Sequence, residues 1–527
     1  MIEILAGAPL LTVFLVVAVG TLVGAIPFGP LKFGPAGALF VGLAVGALDP
    51  RLGEGFGIIQ SIGLALFVYT IGLAAGATFF RDLKKQGTFM VGATVLLAAY
   101  AGLVVAAGKL TGFGGAFAGG LFAGSMTATP ALAAATSATG SSEPAVGYAI
   151  TYPIGVIVTM IVLTFIMKMK LPAQNDQQST VGLRAVTVEV ERDILVQDIP
   201  GIAEIAGQAG GEVRVSYHWR DGHMSVATPD ELRCKGDRAV FVGTPKGVER
   251  AIRVVGKEIT NDKHLLDDRR QVNFRRFLMS DPSLAGRTVT DLRIPARFDG
   301  LITRVIRGDE EMLAHAEMKL QQGDRLLVVA PKDRFDELKE FFGDSEKKVT
   351  EVDFWSMGLG IAFGVAVGLI TIPLGGASLA LGSAAGPLIV GLFLGYLRRT
   401  GPIVWTIPTA ANLTIRQLGL VLFLAAVGLA SGQDFASTAF SALGIKLGIV
   451  AAIVLLIILL AFWLLGRFVG LSTARVAGGM AGFVGQPALL NHVNSTIDDQ
   501  RTEAGYSAMF ALGIIVKIML VQVVVAF

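Results

Sequence analysis

Residues 123–135 read AGSMTATPALAAA, and residues 481–492 read AGFVGQPALLNH. Each places small polar residues and a proline inside an otherwise apolar run, where they interrupt a helix. An interrupted helix presents free backbone amides at the start of its second arm, and together with the helix dipole these favour an anion. The chemistry expected of Ser125, Met126, Thr127, Ala128, Thr129 and Pro130 is therefore capture of a small polar solute, above all an anionic one. Gly485, Gln486, Pro487 and Asn491, together with Gly482, are the counterparts in the second stretch. Lys517 falls midway along the last apolar run, too far from either end to reach water easily, and from there offers a cation to a carboxylate. Arg416, at the start of another apolar run, is a second candidate cation.

The elements that hold these residues follow from composition. Of 527 residues 53% are hydrophobic and 16% charged, and the mean hydropathy is +0.64, outside the range of ordinary soluble domains. The charge is segregated: residues 1–167 carry 11 Asp, Glu, Lys and Arg, residues 352–527 carry 13, and the remaining 61 lie between. Two apolar blocks thus flank a hydrophilic one, the pattern of a membrane protein with a soluble insert. A net charge of +3 gives no ground for a nucleic-acid partner, and the single Cys234 excludes an intramolecular disulfide. Glu3 is the only charge before Lys32, so the amino end lacks a basic secretory region and reads as a first span.

Spans are expected near 9–28, 35–48, 58–80, 88–108 and 146–168, and again near 354–373, 384–397, 415–431, 440–466 and 504–526. Placing the amino terminus outside puts Lys32, Arg81, Lys84, Lys85, Lys168 and Lys170 on the cytoplasmic side, with Lys347, Lys348, Arg398, Arg399, Arg467 and Arg475 from the second block. This topology has both termini outside and the insert in the cytoplasm. It requires each irregular stretch to enter and leave on one face.

The blocks also repeat. GLALFVYTIGLAAG at 63–76 matches GLVLFLAAVGLASG at 419–432 in 8 of 14 positions, with Gly63/Gly419, Phe67/Phe423, Gly72/Gly428 and Gly76/Gly432 in register. GYAITYPIGVIV at 147–158 pairs with GYSAMFALGIIV at 505–516. The same glycines serve helix packing, but three matching blocks in one order point to a common fold. The expected fold class is an α-helical polytopic membrane protein. It is an inverted-topology repeat of about five spans plus a re-entrant hairpin each, with an inserted cytoplasmic pair of small α+β domains. The expected divisions are 1–170, 171–258, 259–348 and 349–527.

The insert repeats as well: GDRAVFVGTPKGVERAI at 236–252 parallels GDRLLVVAPKDRFDELK at 323–339. Each reads as a strand, a turn and an amphipathic helix. The stretch GKEITNDKHLLDDRRQ reads as the linker between the two. No GxGxxG opens a strand-turn-helix, and no cofactor is expected. His218 and His223 flank Asp221 without further clustered ligands, so no metal site is expected. His492 reads as a hydrogen-bonded structural residue, with titration in a proton-coupled cycle as the alternative. Glu143, Asp498, Asp499 and Glu503 read as solvated loop charges. No nucleophile-base set appears in either apolar block, so an enzyme is not expected.

With these features in place, the chain resembles the aspartate:alanine exchanger family of bacterial transporters over nearly its whole length. AGSMTATPAL and AGFVGQPAL carry the resemblance, and the insert looks like a pair of RCK_C domains, the carboxy-terminal ligand-sensing modules of potassium-transport regulators. The resemblance implies a multi-pass antiporter or exporter of the bacterial cytoplasmic membrane for aspartate, alanine or dicarboxylates such as succinate. Its partners would be the solute, the bilayer, a regulatory ligand on the insert and a second copy of the chain. It places the binding motif on Ser125, Thr127, Thr129 and Pro130; the second stretch departs from the family pattern, reading GFVGQP. A cation channel or cation/proton antiporter is the alternative, although no TVGYG-like filter appears.

Overall fold

The computed structural model describes residues 2–28, 31–169, 171, 173–176, 183–202, 212–221, 223–226, 232–259, 272–307, 310–345, 352–374, 377–380, 382–497, 499 and 501–527. Lys170, Asp498 and the 260–271 part of the linker lie outside the described residues. The chain divides into two compact units. Met1–Gln178, Trp355–Leu397 and Asn412–Phe527 form one, and Ser179–Phe354 with Arg398–Ala411 the other.

The first unit is helical because its sequence is apolar in runs long enough to satisfy their own backbone in hydrocarbon. Its N-terminal half holds α1 (Pro9–Ala25), α2 (Ala36–Gly46), α3 (Gly57–Thr111), α4 (Gly115–Ser125), α5 (Thr129–Thr139) and α6 (Glu143–Ile166). Non-helical geometry at Gln86 kinks α3, which therefore supplies two apolar segments. A short ribbon, β1 (Pro27–Phe28) with β2 (Leu31–Lys32), joins α1 to α2.

The second unit is built on two larger antiparallel sheets. The first is built from β3 (Arg184–Val190), β4 (Val213–Arg220), β5 (His223–Val226), β6 (Arg238–Gly243) and β7 (Gly256–Glu258), in the order β5-β4-β6-β3-β7. Helix α7 (Pro245–Val255) lays Val248, Ala251 and Val255 on Val188, Val213 and Phe241. The second sheet, β8 (Val272–Leu278), β9 (Leu301–Arg307), β10 (Glu310–Leu313) and β11 (Arg325–Pro331), runs β8-β11-β9-β10. Here α8 (Phe335–Phe342) buries Leu338 and Phe342 against Phe277 and Leu326. One device recurs in both. Arg220, at the end of β4, donates to Asp237 and to the Leu232 carbonyl; Arg307, at the end of β9, donates to Asp324 and to the Lys319 carbonyl. Each aspartate follows a left-handed glycine, Gly236 or Gly323, and caps the turn before a central strand. Burial pushes the Asp237 carboxyl up, but the hydrogen bonds from Arg220 and the Cys234 N–H outweigh it and hold that group below the usual carboxylate range.

The C-terminal half of the first unit contains α9 (Phe354–Gly368), α10 (Gly382–Leu397), α11 (Thr409–Thr438), α12 (Ala442–Val469), α13 (Thr473–Val484), α14 (Pro487–Asn494) and α15 (Arg501–Ala526). A ribbon of Thr371–Leu374 and Ala377–Ala380 joins α9 to α10, as β1 and β2 join α1 to α2. Among the described residues, six helices are long and apolar enough to cross a membrane and four shorter ones are apolar. Each of the ten overlaps an expected span. Large apolar side chains stay exposed on them, Phe14 and Leu22 on α1 and Ile445, Ile449, Ile453 and Leu464 on α12, as contact with lipid requires.

Glycines set how these helices meet. Side chains on Gly63 of α3 and Gly419 of α11 would strike each other's backbone carbonyls, and each would also meet the residue four past the other, Phe423 or Phe67. The two helices therefore cross antiparallel at this point. Gly72 and Gly76 of α3 pack on Leu388 and Leu392 of α10, while Gly428 and Gly432 of α11 pack on Leu39 and Leu43 of α2. Each half thus grips a helix of the other in the same way.

Candidate functional site

The first irregular stretch folds as two arms, α4 and α5, joined at residues 126–128. Each arm has 11 residues, about 16 Å of helix, roughly half of a ~30 Å hydrocarbon core. The arms run back on one another, since a Cβ on Gly119 would lie 3.4 Å from that of Ala135. Helix α4 follows the first half of α6, with Gly120 against Pro144, Gly124 against Tyr148 and Ser125 against Gly155. In the second stretch α13 follows the first half of α15, with Gly478 against Thr502 and Gly482 against Tyr506, and α14 follows after Gly485 and Gln486.

Local chemistry shapes both tips alike. The Ala128 N–H donates to the Ala123 carbonyl at 2.8 Å and the Gln486 N–H to the Ala481 carbonyl at 3.2 Å, each closing the first arm by reaching five residues back. The chain then turns through left-handed backbone, Thr127 at φ 45° and Gly485 at φ 96°. Pro130 and Pro487 stand in the first turns of α5 and α14, where a missing N–H costs nothing.

Helix α15 brings the two tips together. Its first half carries α13, and its second half carries α4, with Gly115 on Val525 and Gly119 on Val521 and Val525. The tips meet between these halves, at Lys517. This side chain is 1% exposed, and its Nζ donates to the Val484 carbonyl at 2.8 Å and to the Met126 carbonyl at 3.4 Å. Those carbonyls sit at the C-terminal ends of α13 and α4, where the helix dipoles leave negative charge. Thr127 Oγ1 also donates to the Val484 carbonyl, at 3.2 Å.

Hydroxyls and an amide line the adjoining face. Thr129 Oγ1 lies 3.0 Å from the Tyr148 hydroxyl, and Gln486 Nε2 donates to the Tyr152 hydroxyl at 2.7 Å. Ser125 is buried behind the tip, bonded to the Tyr100 hydroxyl and the Leu121 carbonyl. Of the expected site residues, Met126, Thr127, Gly485 and Lys517 converge, and Thr129 and Gln486 join them through the two tyrosines. Ala128 and Pro130 are buried in the turn. Pro487 and Asn491 are exposed, and Arg416 is half-buried within electrostatic range of Tyr506. His492 Nε2 lies 3.2 Å from Thr164 Oγ1. Among the described residues no group of acidic, histidine or cysteine side chains is arranged to hold a metal ion.

Three features went unread in the sequence. Tyr100 was one. Tyr148 and Tyr152 were another, though a four-residue spacing of tyrosines on an apolar helix is a signal for a shared polar face. The third lies at the base of α13. There Asp176 accepts from the Ser472 N–H at 2.9 Å and Arg475 Nε at 2.7 Å, and Arg501 Nη1 donates to its carbonyl at 3.1 Å. Arg501 also binds Asp499 and holds that carboxyl below the usual range. This cluster fastens the segment after α6 to the starts of α13 and α15.

The fold and site define a multi-pass membrane protein with a soluble α+β insert and two polar helical hairpins meeting tip to tip. The chain belongs to the Asp-Al_Ex family, described as a predicted permease membrane region, which matches residues 12–168 and 356–526. Residues 274–343 match the TrkA-C domain. The chain is 45% identical to an uncharacterized transporter of Cutibacterium acnes and 36% identical to one of Geobacter sulfurreducens, in each case over 99% of both chains. Among solved structures it is similar to the GsuK RCK domain, with a TM-score of 0.14 and 8% identity over 36% of this chain and 70% of that one.

Proposed function

We propose that this protein is a secondary carrier that exchanges or exports small carboxylate solutes, of the aspartate, alanine or succinate kind, across the cytoplasmic membrane. The observation that carries the reading is the convergence of two interrupted helices on Lys517 inside the helical unit. Irregular backbone at that depth persists only where protein or a wet cavity satisfies it. Thr127, Thr129, Gln486 and the amides that start α5 and α14 form the solute site, and Ser125 shapes the tip from behind through its bonds to Tyr100 and the Leu121 carbonyl. Lys517 sets the site's electrostatics, and Arg416, within electrostatic range of Tyr506, stands as a further candidate cation.

The two halves are inverted repeats in this reading. The antiparallel crossing of α3 and α11 at Gly63 and Gly419 supports it, as does the reciprocal grip of Gly72 on α10 and Gly428 on α2. Alternating access then follows from movement of the hairpin-bearing helices against the others, an elevator, in a homodimer with both termini outside. The insert, on the cytoplasmic side as two tandem RCK_C-like domains, senses a small ligand. A cavity of about 550 Å³ between its two sheets supports this, lined among others by Ser216, Phe274, Arg276 and Arg304; the buried Arg304 Nε has no hydrogen-bond partner among the described residues. The TrkA-C match also favours a second reading, a ligand-regulated cation channel or antiporter.

Counterflow in proteoliposomes preloaded with aspartate, alanine, succinate or potassium separates the two. Uptake of a labelled carboxylate is expected; movement of potassium alone overturns the carboxylate reading.

A further inference from the structure

Tyr148 and Tyr152 stand one turn apart on α6, their rings 5.4 Å between centroids. Each receives the polar residue that precedes a hairpin proline: Thr129 before Pro130, and Gln486 before Pro487. One helix therefore holds both tips by phenol hydroxyls. On α15 the matching positions are Tyr506 and Phe510, which stack on each other at 5.3 Å. Phe510 has no hydroxyl, so this polar rail exists on one side of the tips.

The bond at Tyr152 has a direction. Gln486 Nε2 is a donor, so the Tyr152 oxygen accepts, and its own proton is left over. Among the described residues that proton has no acceptor. Tyr152 is 5% exposed, and the rings of Phe33 and Phe40 stand 6.5 Å and 6.4 Å from its own. A buried donor without an acceptor is costly, and the group that best relieves it is an anionic oxygen, through a charge-assisted hydrogen bond.

We propose that Tyr152 is a solute-binding, specificity-determining residue whose hydroxyl proton is donated to a carboxylate oxygen of the transported solute. Tyr148 and Thr129 position it, and Gln486 keeps its oxygen occupied as acceptor so that the proton points to the solute. The proposal rests on the carboxylate-carrier reading.

The test uses the full-length protein in proteoliposomes with aspartate, alanine, succinate and potassium. Tyr152→Phe deletes one oxygen and keeps the ring. The KM for the transported carboxylate is expected to rise about tenfold with the maximal rate within about twofold of wild type, the loss of one hydrogen bond to a charged group. A fall in maximal rate with KM unchanged would make Tyr152 a mere fastening for the second hairpin and overturn the proposal, as would no change at all. Should Tyr152→Phe not fold, Gln486→Glu places a tethered carboxylate against the same hydroxyl. It is expected to raise the KM about tenfold by competition, and an unaltered KM again overturns the proposal. If only potassium moves, the carboxylate reading falls and takes this proposal with it; if a carboxylate moves and neither variant alters its KM, this proposal alone falls.

Discussion

Lys517 and Val484 are joined by a hydrogen bond of 2.8 Å, ammonium to carbonyl, at the point where the two hairpins meet. The same ammonium reaches the Met126 carbonyl at 3.4 Å. This cation thus faces the negative ends of two helices from opposite halves of the chain, which explains how a lysine can be buried there with no carboxylate beside it among the described residues.

Replacing Lys517 with Met keeps the length and apolar bulk of the side chain but removes both hydrogen bonds, each to a charged donor and worth about 1.5–3 kcal/mol. The expected outcome is a lower melting temperature in detergent and loss of solute exchange in proteoliposomes. A variant that melts and transports as wild type would show that the tips close without this charge.

Thr127 adopts left-handed backbone, which costs a residue with a side chain about 1–2 kcal/mol, and repays part of it by bonding to the Val484 carbonyl. Thr127→Ala keeps the unfavourable backbone and loses the bond, so it is expected to destabilise by about 1 kcal/mol. Thr127→Gly loses the bond but also the backbone penalty, and is expected to melt close to wild type. The order Gly above Ala in thermal denaturation is the check.

The Asp176–Arg475 pair is buried, with side-chain exposures of 2% and 15%. Asp176→Leu leaves Arg475 charged and unpaired and is expected to cost about 3–5 kcal/mol. The double variant Asp176→Leu with Arg475→Leu is expected to lose less than the single one, because no buried charge remains. Denaturant or thermal unfolding of the three proteins measures the difference; equal losses would mean that the pair is not what holds this junction.

In the insert, the sign of the pH response follows from Asp237, whose carboxyl lies below its ordinary value. The stability it contributes is present above the unfolded carboxylate value, near 4, and is lost as pH falls through the lower folded one. Acid titration followed by circular dichroism should therefore show the β signal weakening below about pH 4, and less so in Asp237→Asn, which is already destabilised at neutral pH.

The spans were legible because hydropathy is additive along the chain, and the helix breaks because Pro, Gly and Thr act on their own backbone. Gly63 and Gly419 were legible as equivalents by alignment; that they touch each other, and that their helices cross antiparallel there, was not. The clamps of Arg220 on Asp237 and Arg307 on Asp324 were half visible, since the repeated Gly-Asp-Arg marked the turns while the arginines that hold the aspartates lie 17 residues earlier. Asp176 gave no signal at all, because its partners stand almost 300 residues away.

By itself the amino-acid order determined where the chain is apolar, where helices must stop, and that its two halves share a pattern. These are properties of neighbouring residues and of composition. Only the tertiary structure decided what the polar residues do: that Lys517 turns to backbone carbonyls, that Tyr152 rather than Asn491 stands beside a tip, and that both tips end at one place. Such outcomes depend on which groups are left without partners once distant helices pack, and in a dry interior it is the unsatisfied group that decides the arrangement.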